Sequence, residues 1–187
     1  MRGEDAPHAS VLLMRVFLIG FMCSGKSHVG RELARVMHMR NLDIDRLIEQ
    51  RIGRITPWFQ AHGEAAFRAL ESSVLAEVVQ QGDVIVSTGG GTPCEGDNMA
   101  RMLRTGQVVF LDVPFDMLLE RIERKGGDRP LLFALKGEPL RARVCDLMAQ
   151  RVPVYKQATM RVLADTTPET IAARIHQALR QAPVQDK

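Results

Sequence analysis

The sequence predicts an α/β fold, in which a parallel β-sheet is covered by helices on both faces. Three observations lead to this prediction. Short apolar runs with the length of buried strands alternate with segments that have helical spacing. A glycine-containing loop joins the first apolar run to the first helix. The chain ends in a segment with a clear helix start, and its 187 residues suffice for one domain with a sizeable core.

The first predicted element is a strand over the run RVFLIG, which ends at Gly20. After Lys26 the apolar residues recur at helical spacing, so a helix follows the glycine loop. The segment NLDID after this helix predicts a second, shorter strand. The apolar face of the helix comprises Val29, Leu33, Val36 and Met37.

Three further strands are predicted over DVIVST, QVVFLDV and MRVLAD. The segment GDNMARMLRTG between the first two predicts a short helix that stops at Gly106. The last helix has Thr167 as its N-cap and Pro168 at its first position. These elements complete the alternation that a parallel sheet requires.

Two regions fall outside this alternation. Residues 45–80 are predicted to be mostly helical, with breaks at Gly53 and Gly63. Residues 125–140 combine glycine, proline and charge, and predict a mobile excursion. In α/β enzymes such excursions supply the second-substrate site and a lid. We therefore expect an acceptor-binding subdomain at 45–80 and a lid at 125–140, both within one domain over 14–187.

Composition narrows the class of protein. A hydrophobic fraction of 45% with 25% charged residues is typical of a globular chain rather than a disordered one. The net charge of +3 is scattered, and aromatic residues are only 5%, so the basic, aromatic-rich stripe of a nucleic-acid-binding surface is missing. No apolar run approaches the roughly 20 residues of a membrane span. We expect neither nucleic acid nor membrane as a partner.

The three cysteines, Cys23, Cys94 and Cys145, are far apart in the sequence. They match neither a zinc-binding spacing nor a redox pair, and an odd count fits a reducing compartment. The expected location is therefore the cytoplasm, with a monomer as the default assembly. Residues 1–13 are predicted to be a disordered extension, and both Met1 and Met14 remain possible starts.

The most informative motif is the spacing Gly20-x4-Gly25-Lys26-Ser27, which matches a phosphate-binding P-loop. In such a loop, successive backbone N–H groups surround a phosphate and the following helix contributes its positive N-terminal end. Lys26 would reach the terminal phosphates, and the Ser27 hydroxyl can bind Mg²⁺. The motif lies between a predicted strand and a predicted helix, where this mechanism requires it.

Two carboxylates, Asp43 and Asp45, follow about one strand-helix unit later. If the segment is extended, alternate side chains point to opposite sides. One carboxylate would then face a metal ion and the other a second substrate. The alternative is structural, because Asp45 precedes an apolar-periodic segment and could be only its N-cap.

Three consecutive glycines, Gly89, Gly90 and Gly91, end the third predicted strand. Glycines allow a ligand or another segment to approach the backbone closely, although a merely flexible loop is the alternative. Ligands of open α/β sheets bind at the carboxyl ends of the strands, which favours a site here.

Arginines supply the candidate anion-binding groups, since a guanidinium pairs well with a carboxylate or phosphate. Arg68 lies three residues before Glu71, so it is either one half of a helical ion pair or a guanidinium held toward a ligand. The other candidates are Arg124, Arg129 and Arg151. Each of them alone could equally be a surface residue.

Taken together, these motifs resemble the shikimate kinase family from about Val16 to the last helix. The matching segments occur in the order GFMCSGKS, DID, GEAAFRALE, STGGGTP, VVFLDVP, RPLL and RVPVYKQAT. The resemblance implies a three-layer P-loop kinase fold with a central five-stranded parallel sheet, a helical substrate-binding subdomain and a lid. It also implies transfer of a phosphoryl group from ATP, with Mg²⁺, to shikimate, giving shikimate 3-phosphate in aromatic amino acid biosynthesis.

The resemblance further implies roles for individual residues. Ser27 and Asp43 would place the Mg²⁺ ion, the latter through water, and Arg124 would pack near the adenine. Arg129 would come from the lid and stabilise charge on the transferring group, making it catalytic together with Lys26 and Asp45. The residues implied around the ATP phosphates are Gly20, Cys23, Ser24, Gly25, Lys26, Ser27 and His28.

For the acceptor, the resemblance implies that Asp45 binds the shikimate hydroxyls and accepts the proton of the one that attacks. Arg68 and Arg151 would face the shikimate carboxylate. The backbone of the glycine triplet, Gly89 to Gly91, would complete this site.

The sequence departs from the family in two places. Cys23 occupies a loop position that is commonly glycine, and a positive φ there would cost a cysteine about 1–2 kcal/mol. The lid around Gly126 is slightly short. Two other functions stay open from the residues alone. One is a kinase of another small acceptor, such as gluconate or a nucleoside monophosphate, and the other is a non-catalytic, shikimate-sensing relative.

Overall fold

A computed structural model describes residues 14–125 and 130–181 of the chain. The predicted extension over residues 1–13 and the lid residues 126–129, which include Gly126 and Arg129, lie outside the described residues. The strands are β1 Arg15–Ile19, β2 Arg40–Asp43, β3 Val84–Ser87, β4 Gln107–Asp112 and β5 Met160–Leu163. The helices are α1 Lys26–Met37, α2 Ile44–Ile52, α3 Ile55–Val78, α4 Asn98–Thr105, α5 Phe115–Lys125, α6 Gly137–Tyr155 and α7 Pro168–Gln181.

The five strands form one parallel sheet in the order β2-β3-β1-β4-β5, which confirms the predicted fold class. In the central strand β1, Val16 to Ile19 are fully buried. Strands on both sides of β1 contribute similarly apolar runs, since Ile85 and Val108 are fully buried as well. A continuous apolar run buried on both faces is what a central parallel strand requires.

Chain order places helices on both faces of the sheet. From β1 the chain crosses through α1 to β2 on one side, and from β3 it crosses through α4 to β4 in the opposite direction. Because such crossovers are right-handed, α1 and α4 lie on opposite faces. The direction reverses at β1, and the carboxyl ends of β1 and β3 therefore flank a crevice of the type in which α/β proteins bind ligands.

The region predicted to be helical over 45–80 contains α2 and most of α3. Gly53 follows the last residue of α2 with a φ of 77°. Gly63 interrupts α3 with a φ of 83° and a ψ of 171°, so both predicted breaks are present. Among the described residues, no helix combines the length and apolar character needed to cross a membrane.

One local expectation was wrong. The segment around the two aspartates is extended only as far as Asp43, because α2 begins directly at Ile44 without an intervening loop. Asp43 is the N-cap of α2, and its carboxylate accepts a hydrogen bond from the Arg46 N–H at 3.3 Å. Asp45 is therefore not the cap but a residue of the first helical turn. Within the predicted excursion over 125–140, α6 begins at Gly137, and the mobility of this region stays a prediction.

Candidate active site

The loop between β1 and α1 has the backbone geometry of a tight phosphate cradle. Gly20 and Gly25 have φ angles of 145° and 96°, and Gly25 is the N-cap of α1. Cys23 also has a positive φ, 61°, which confirms that this position demands a left-handed conformation. The cap of α1 has no side-chain hydrogen bond, and a helix N-terminus of this kind attracts anions through its backbone N–H groups and its dipole.

The Lys26 ammonium lies inside this loop. Its Nζ donates hydrogen bonds to the carbonyl oxygens of Gly20 and Phe21, at 2.9 and 2.8 Å, and to the Ser24 hydroxyl at 3.3 Å. The side chain is buried, as is Ser24. The ammonium is thus held at the centre of the loop, where it can exchange carbonyl oxygens for phosphate oxygens.

A hydrogen bond from β3 holds the first turn of α1 in place. The Ser87 hydroxyl donates a hydrogen bond to the Lys26 carbonyl at 3.1 Å. Asp43 pairs with Ser87 in the register of β2 and β3. These contacts place Asp43 beside the start of α1, the helix turn to which Ser27 belongs.

A cleft of about 420 Å³ opens next to the loop, at the carboxyl edge of the sheet. It brings together every residue that the sequence assigned to the acceptor: Asp45, Arg68, Gly89, Gly90, Gly91 and Arg151. Its other walls are apolar, polar and charged side chains that the sequence did not assign to the acceptor, namely Met22, Glu49, Arg54, Ile55, Thr56, Phe59, Phe67, Glu71, Pro130 and Leu131. Residues from α2, α3, α6 and four connecting segments therefore converge on one polar cavity.

Arg68 is held in the cleft wall by two carboxylates. It donates hydrogen bonds to the buried Glu71 and, at 2.9 Å, to the exposed Glu64. The Thr92 hydroxyl donates a hydrogen bond to the other oxygen of Glu71 at 2.7 Å. Burial acts to lower the pKa of Arg68, but the Glu71 and Glu64 carboxylates outweigh it, so the pKa is raised and the charge is retained. The helical ion pair considered from the sequence thus also orients the guanidinium.

Arg151 is the second cation of the cleft. Only 6% of it is exposed, and its Nη1 has no hydrogen-bond partner among the described residues. Its guanidinium lies over the ring of Phe21, a P-loop residue, at 5.6 Å from the centroid. An unpaired N–H on a buried cation is costly, so this geometry suits an anionic ligand that supplies the missing acceptor.

Two members of the glycine triplet lie very close to charged side chains of the cleft. A Cβ on Gly89 would lie 2.3 Å from a Glu71 oxygen, and one on Gly91 would lie 2.6 Å from the Arg68 guanidinium. The close approach that the sequence predicted is therefore present, and the side chains that approach the glycines are those of Glu71 and Arg68 in the cleft wall.

Other predicted residues lie elsewhere. Arg124 is exposed on the last turn of α5 and does not line the cleft, and His28 is exposed on α1. Arg129 lies outside the described residues. Sequence reasoning missed Thr92 and Tyr155, whose only signal was their place within the STGGGTP and RVPVYKQAT segments.

A phosphate loop at the switch point of a parallel sheet, facing a polar cleft whose lining includes Arg68, Arg151 and Asp45, defines a P-loop kinase of small molecules. The shikimate kinase family model matches residues 22–180, and the chain belongs to this family. Relatives and solved structures agree. The chain is 40% identical to the shikimate kinase of Bacteroides fragilis over 154 residues, covering 82% of this chain and 86% of the relative.

A second relative, the shikimate kinase of Aquifex aeolicus, is 37% identical and covers 87% of this chain and 94% of its own length. The crystal structure of shikimate kinase from Bacteroides thetaiotaomicron matches with a TM-score of 0.83 and 36% identity, over 90% of this chain and 99% of that one. Shikimate kinase from Acinetobacter baumannii in complex with shikimate matches with a TM-score of 0.84 and 31% identity. The match covers 92% of this chain and 96% of that one. The fold and the family are thus supported over nearly the whole described chain.

Proposed function

We propose that this chain transfers the γ-phosphoryl group of ATP to the 3-hydroxyl of shikimate, with Mg²⁺, through the residues assembled around the cleft. The observation behind this proposal is the convergence of Asp45, Arg68 and Arg151 on one cavity beside the P-loop. Shikimate is a small ring with one carboxylate and adjacent hydroxyls. Three arginines and three carboxylates line the cleft, and among them Arg68, Arg151 and Asp45 are the set that complements such a molecule.

Arg68 and Arg151 would bind the carboxylate of the acceptor. The Arg68 guanidinium is oriented by Glu71, and Arg151 has a buried N–H without a partner. Guanidinium groups bind carboxylates with two parallel hydrogen bonds, which fixes both position and orientation. The Gly90 backbone, between Arg151 and the phosphate loop, would contact the ring from the sheet side.

Asp45 would bind the acceptor hydroxyls and act as the general base. It would take the proton of the 3-hydroxyl while that oxygen attacks the γ-phosphorus. The bond from the γ-phosphorus to the bridging oxygen then breaks, and ADP leaves with the electron pair. Because the transition state of phosphoryl transfer is loose, positioning and charge stabilisation dominate, and a base contributes typically about 10²–10⁴-fold.

Lys26 and the N–H groups of the loop would hold the phosphates of ATP. The roles of Arg129 on the transferring group and of Arg124 beside the adenine remain predictions.

The residues beside the first turn of α1 suit Mg²⁺. They are the Ser27 hydroxyl and the Asp43 carboxylate, both hard oxygen donors, and Mg²⁺ binds through one or two protein oxygens together with phosphate oxygens and water. When bound, Mg²⁺ neutralises charge on the phosphates. Asp43 would hold a water of the ion while its carboxylate also caps α2. The packing of Ser87 against the Lys26 carbonyl supports this placement.

Cytoplasmic location and a monomeric state are further inferences. The cysteines Cys23, Cys94 and Cys145 are free, which fits a reducing compartment. Light scattering coupled to gel filtration measures the mass of the assembly, and a dimer would contradict the monomer.

The function is tested by measuring ADP release from Mg-ATP with shikimate, gluconate and several nucleoside monophosphates as acceptors. We expect turnover with shikimate alone, and none in Lys26→Ala, which serves as the negative control. Turnover with gluconate or a nucleotide but not with shikimate would identify a different kinase. No turnover with any acceptor, although shikimate binds, would identify a sensing relative.

A further inference from the structure

Tyr155 is the single tyrosine of the chain and the last residue of α6. It is fully buried, and its hydroxyl donates a hydrogen bond to the carbonyl oxygen of Gly90 at 2.5 Å. Its ring packs against Phe110 of β4, with the centroids 5.3 Å apart. The sequence analysis assigned this side chain no role, and it does not line the acceptor cleft.

Gly90 lies where the acceptor cleft meets the phosphate loop. A Cβ placed on it would lie 3.1 Å from the Met22 backbone nitrogen, 3.6 Å from the Gly20 carbonyl oxygen and 3.4 Å from the Arg151 Nη1. The peptide that contains the Gly90 carbonyl is a trans unit, so its C=O and the following N–H point in opposite directions. One hydrogen bond from Tyr155 therefore sets the orientation of the whole peptide plane.

The same helix connects Tyr155 with Arg151, one turn earlier. Pro153 lies between them and has no N–H to donate to the Ala149 carbonyl, which weakens this last turn. The bond to Gly90 ties the weakened turn to the end of β3. Arg151 and the glycine triplet are thereby held in one arrangement.

The tyrosine is well suited to be a permanent donor. Burial raises its pKa well above the ordinary value, and the nearby Arg151 charge opposes this only in part. The hydroxyl consequently stays protonated over the whole physiological pH range. The Gly90 carbonyl is then never left without its partner.

We infer that Tyr155 is a positioning residue for phosphoryl transfer, which aligns the Gly90 peptide and Arg151 with the phosphate loop through its hydroxyl. This inference rests on the proposed function, because the alignment matters only if the acceptor binds in the cleft. Tyr155 itself touches neither substrate. Its loss is expected to weaken use of shikimate, not of ATP.

The test compares steady-state kinetics of the wild type with Tyr155→Phe, which removes one oxygen and keeps the ring. We expect the KM for shikimate to rise about tenfold, because a buried carbonyl is left unpaired and its peptide reorients, while the KM for ATP stays within about twofold. The matched control is Thr159→Val. The Thr159 hydroxyl donates a hydrogen bond to the Val108 carbonyl oxygen at 2.8 Å, away from the cleft. This variant should therefore lose stability while its KM values stay unchanged.

An unchanged KM for shikimate in a folded Tyr155→Phe protein would overturn the inference. If that variant does not fold, 3-fluorotyrosine incorporated into the wild-type chain labels Tyr155 alone. Its ¹⁹F resonance should shift on addition of shikimate, and a resonance that stays fixed at saturation would equally overturn it. Failure of the proposed function is recognised separately, since the wild type would then show no turnover with shikimate.

Discussion

The guanidinium of Arg68 donates a hydrogen bond to the carboxylate of Glu71, three residues later on α3. Glu71 is 1% exposed, and its second oxygen accepts a hydrogen bond from the Thr92 hydroxyl. Glu71 therefore holds the Arg68 guanidinium at the cleft, and Thr92, which directly follows the glycine triplet, holds Glu71. Orientation of the acceptor carboxylate would depend on this chain of contacts.

Replacing Glu71 by Gln should release Arg68. The substitution removes a charge-assisted hydrogen bond, so we expect the KM for shikimate to rise roughly tenfold or more, with little change in the KM for ATP. Glu64→Gln is the control, because Glu64 contacts the same guanidinium but its side chain is 49% exposed. Its effect should stay below about twofold. Equal effects of the two substitutions in steady-state assays would contradict the role of Glu71.

Asp45→Asn should greatly slow phosphoryl transfer while leaving the binding of ATP nearly unchanged. We expect kcat to fall about 10²–10⁴-fold, since an amide cannot accept the hydroxyl proton, with the KM for ATP nearly unchanged. Glu49→Gln is the matched variant, one helical turn later on α2 and also in the cleft wall. It should retain most of its turnover. Near-normal kcat in Asp45→Asn would remove this residue from the base role.

Cys23 occupies a left-handed backbone position, with a φ of 61°. Glycine adopts this conformation without the Cβ penalty, so Cys23→Gly should raise the free energy of unfolding by about 1 kcal/mol. Cys23→Ala keeps the Cβ and should bring no such gain. Urea denaturation measures both, and a glycine variant no more stable than the alanine variant would show that the loop is not strained here.

Glu169 lies in the first turn of α7, where its own backbone N–H and then the Thr167 hydroxyl lower the pKa of its carboxyl group. A carboxyl with a lowered pKa in the folded state stabilises the protein above its unfolded-state pKa, about 4.3, and this contribution is lost as the pH falls through the folded-state value. Glu169→Gln should therefore lower Tm at pH 7, and the difference should shrink as the pH is lowered below about 4.3. A Tm difference that persists at the lower pH would point to lost packing instead. Glu123→Gln, on the exposed face of α5, is the control.

Local patterns explain how far the sequence predicts this structure. Strands β1, β3 and β4 are short apolar runs that end near glycine, proline or a polar residue. The short, polar β2 lies within the predicted NLDID segment and the residue before it, so all five strands were recognised. The motif around Lys26 located the loop between β1 and α1. The placement of Asp45 was missed because β2 passes directly into α2, and no periodicity signals a helix that starts without a loop.

Contacts between distant residues could not be read from local patterns. Thr92 meets Glu71 across 21 residues of chain, and Tyr155 meets Gly90 across 65. Such pairings depend on how α3, α6 and the end of β3 pack together. The sequence therefore predicted residues that come together in one cleft, but not the neighbours that hold them in place.

A crystal structure of the chain with ADP, Mg²⁺ and shikimate tests the central claim most directly. We expect Lys26 to contact the nucleotide phosphates, Arg68 and Arg151 to bind the shikimate carboxylate, and an Asp45 oxygen to lie within about 3 Å of the 3-hydroxyl. Shikimate bound outside this cleft, or bound within it with its carboxylate turned away from both arginines, would contradict the proposed site.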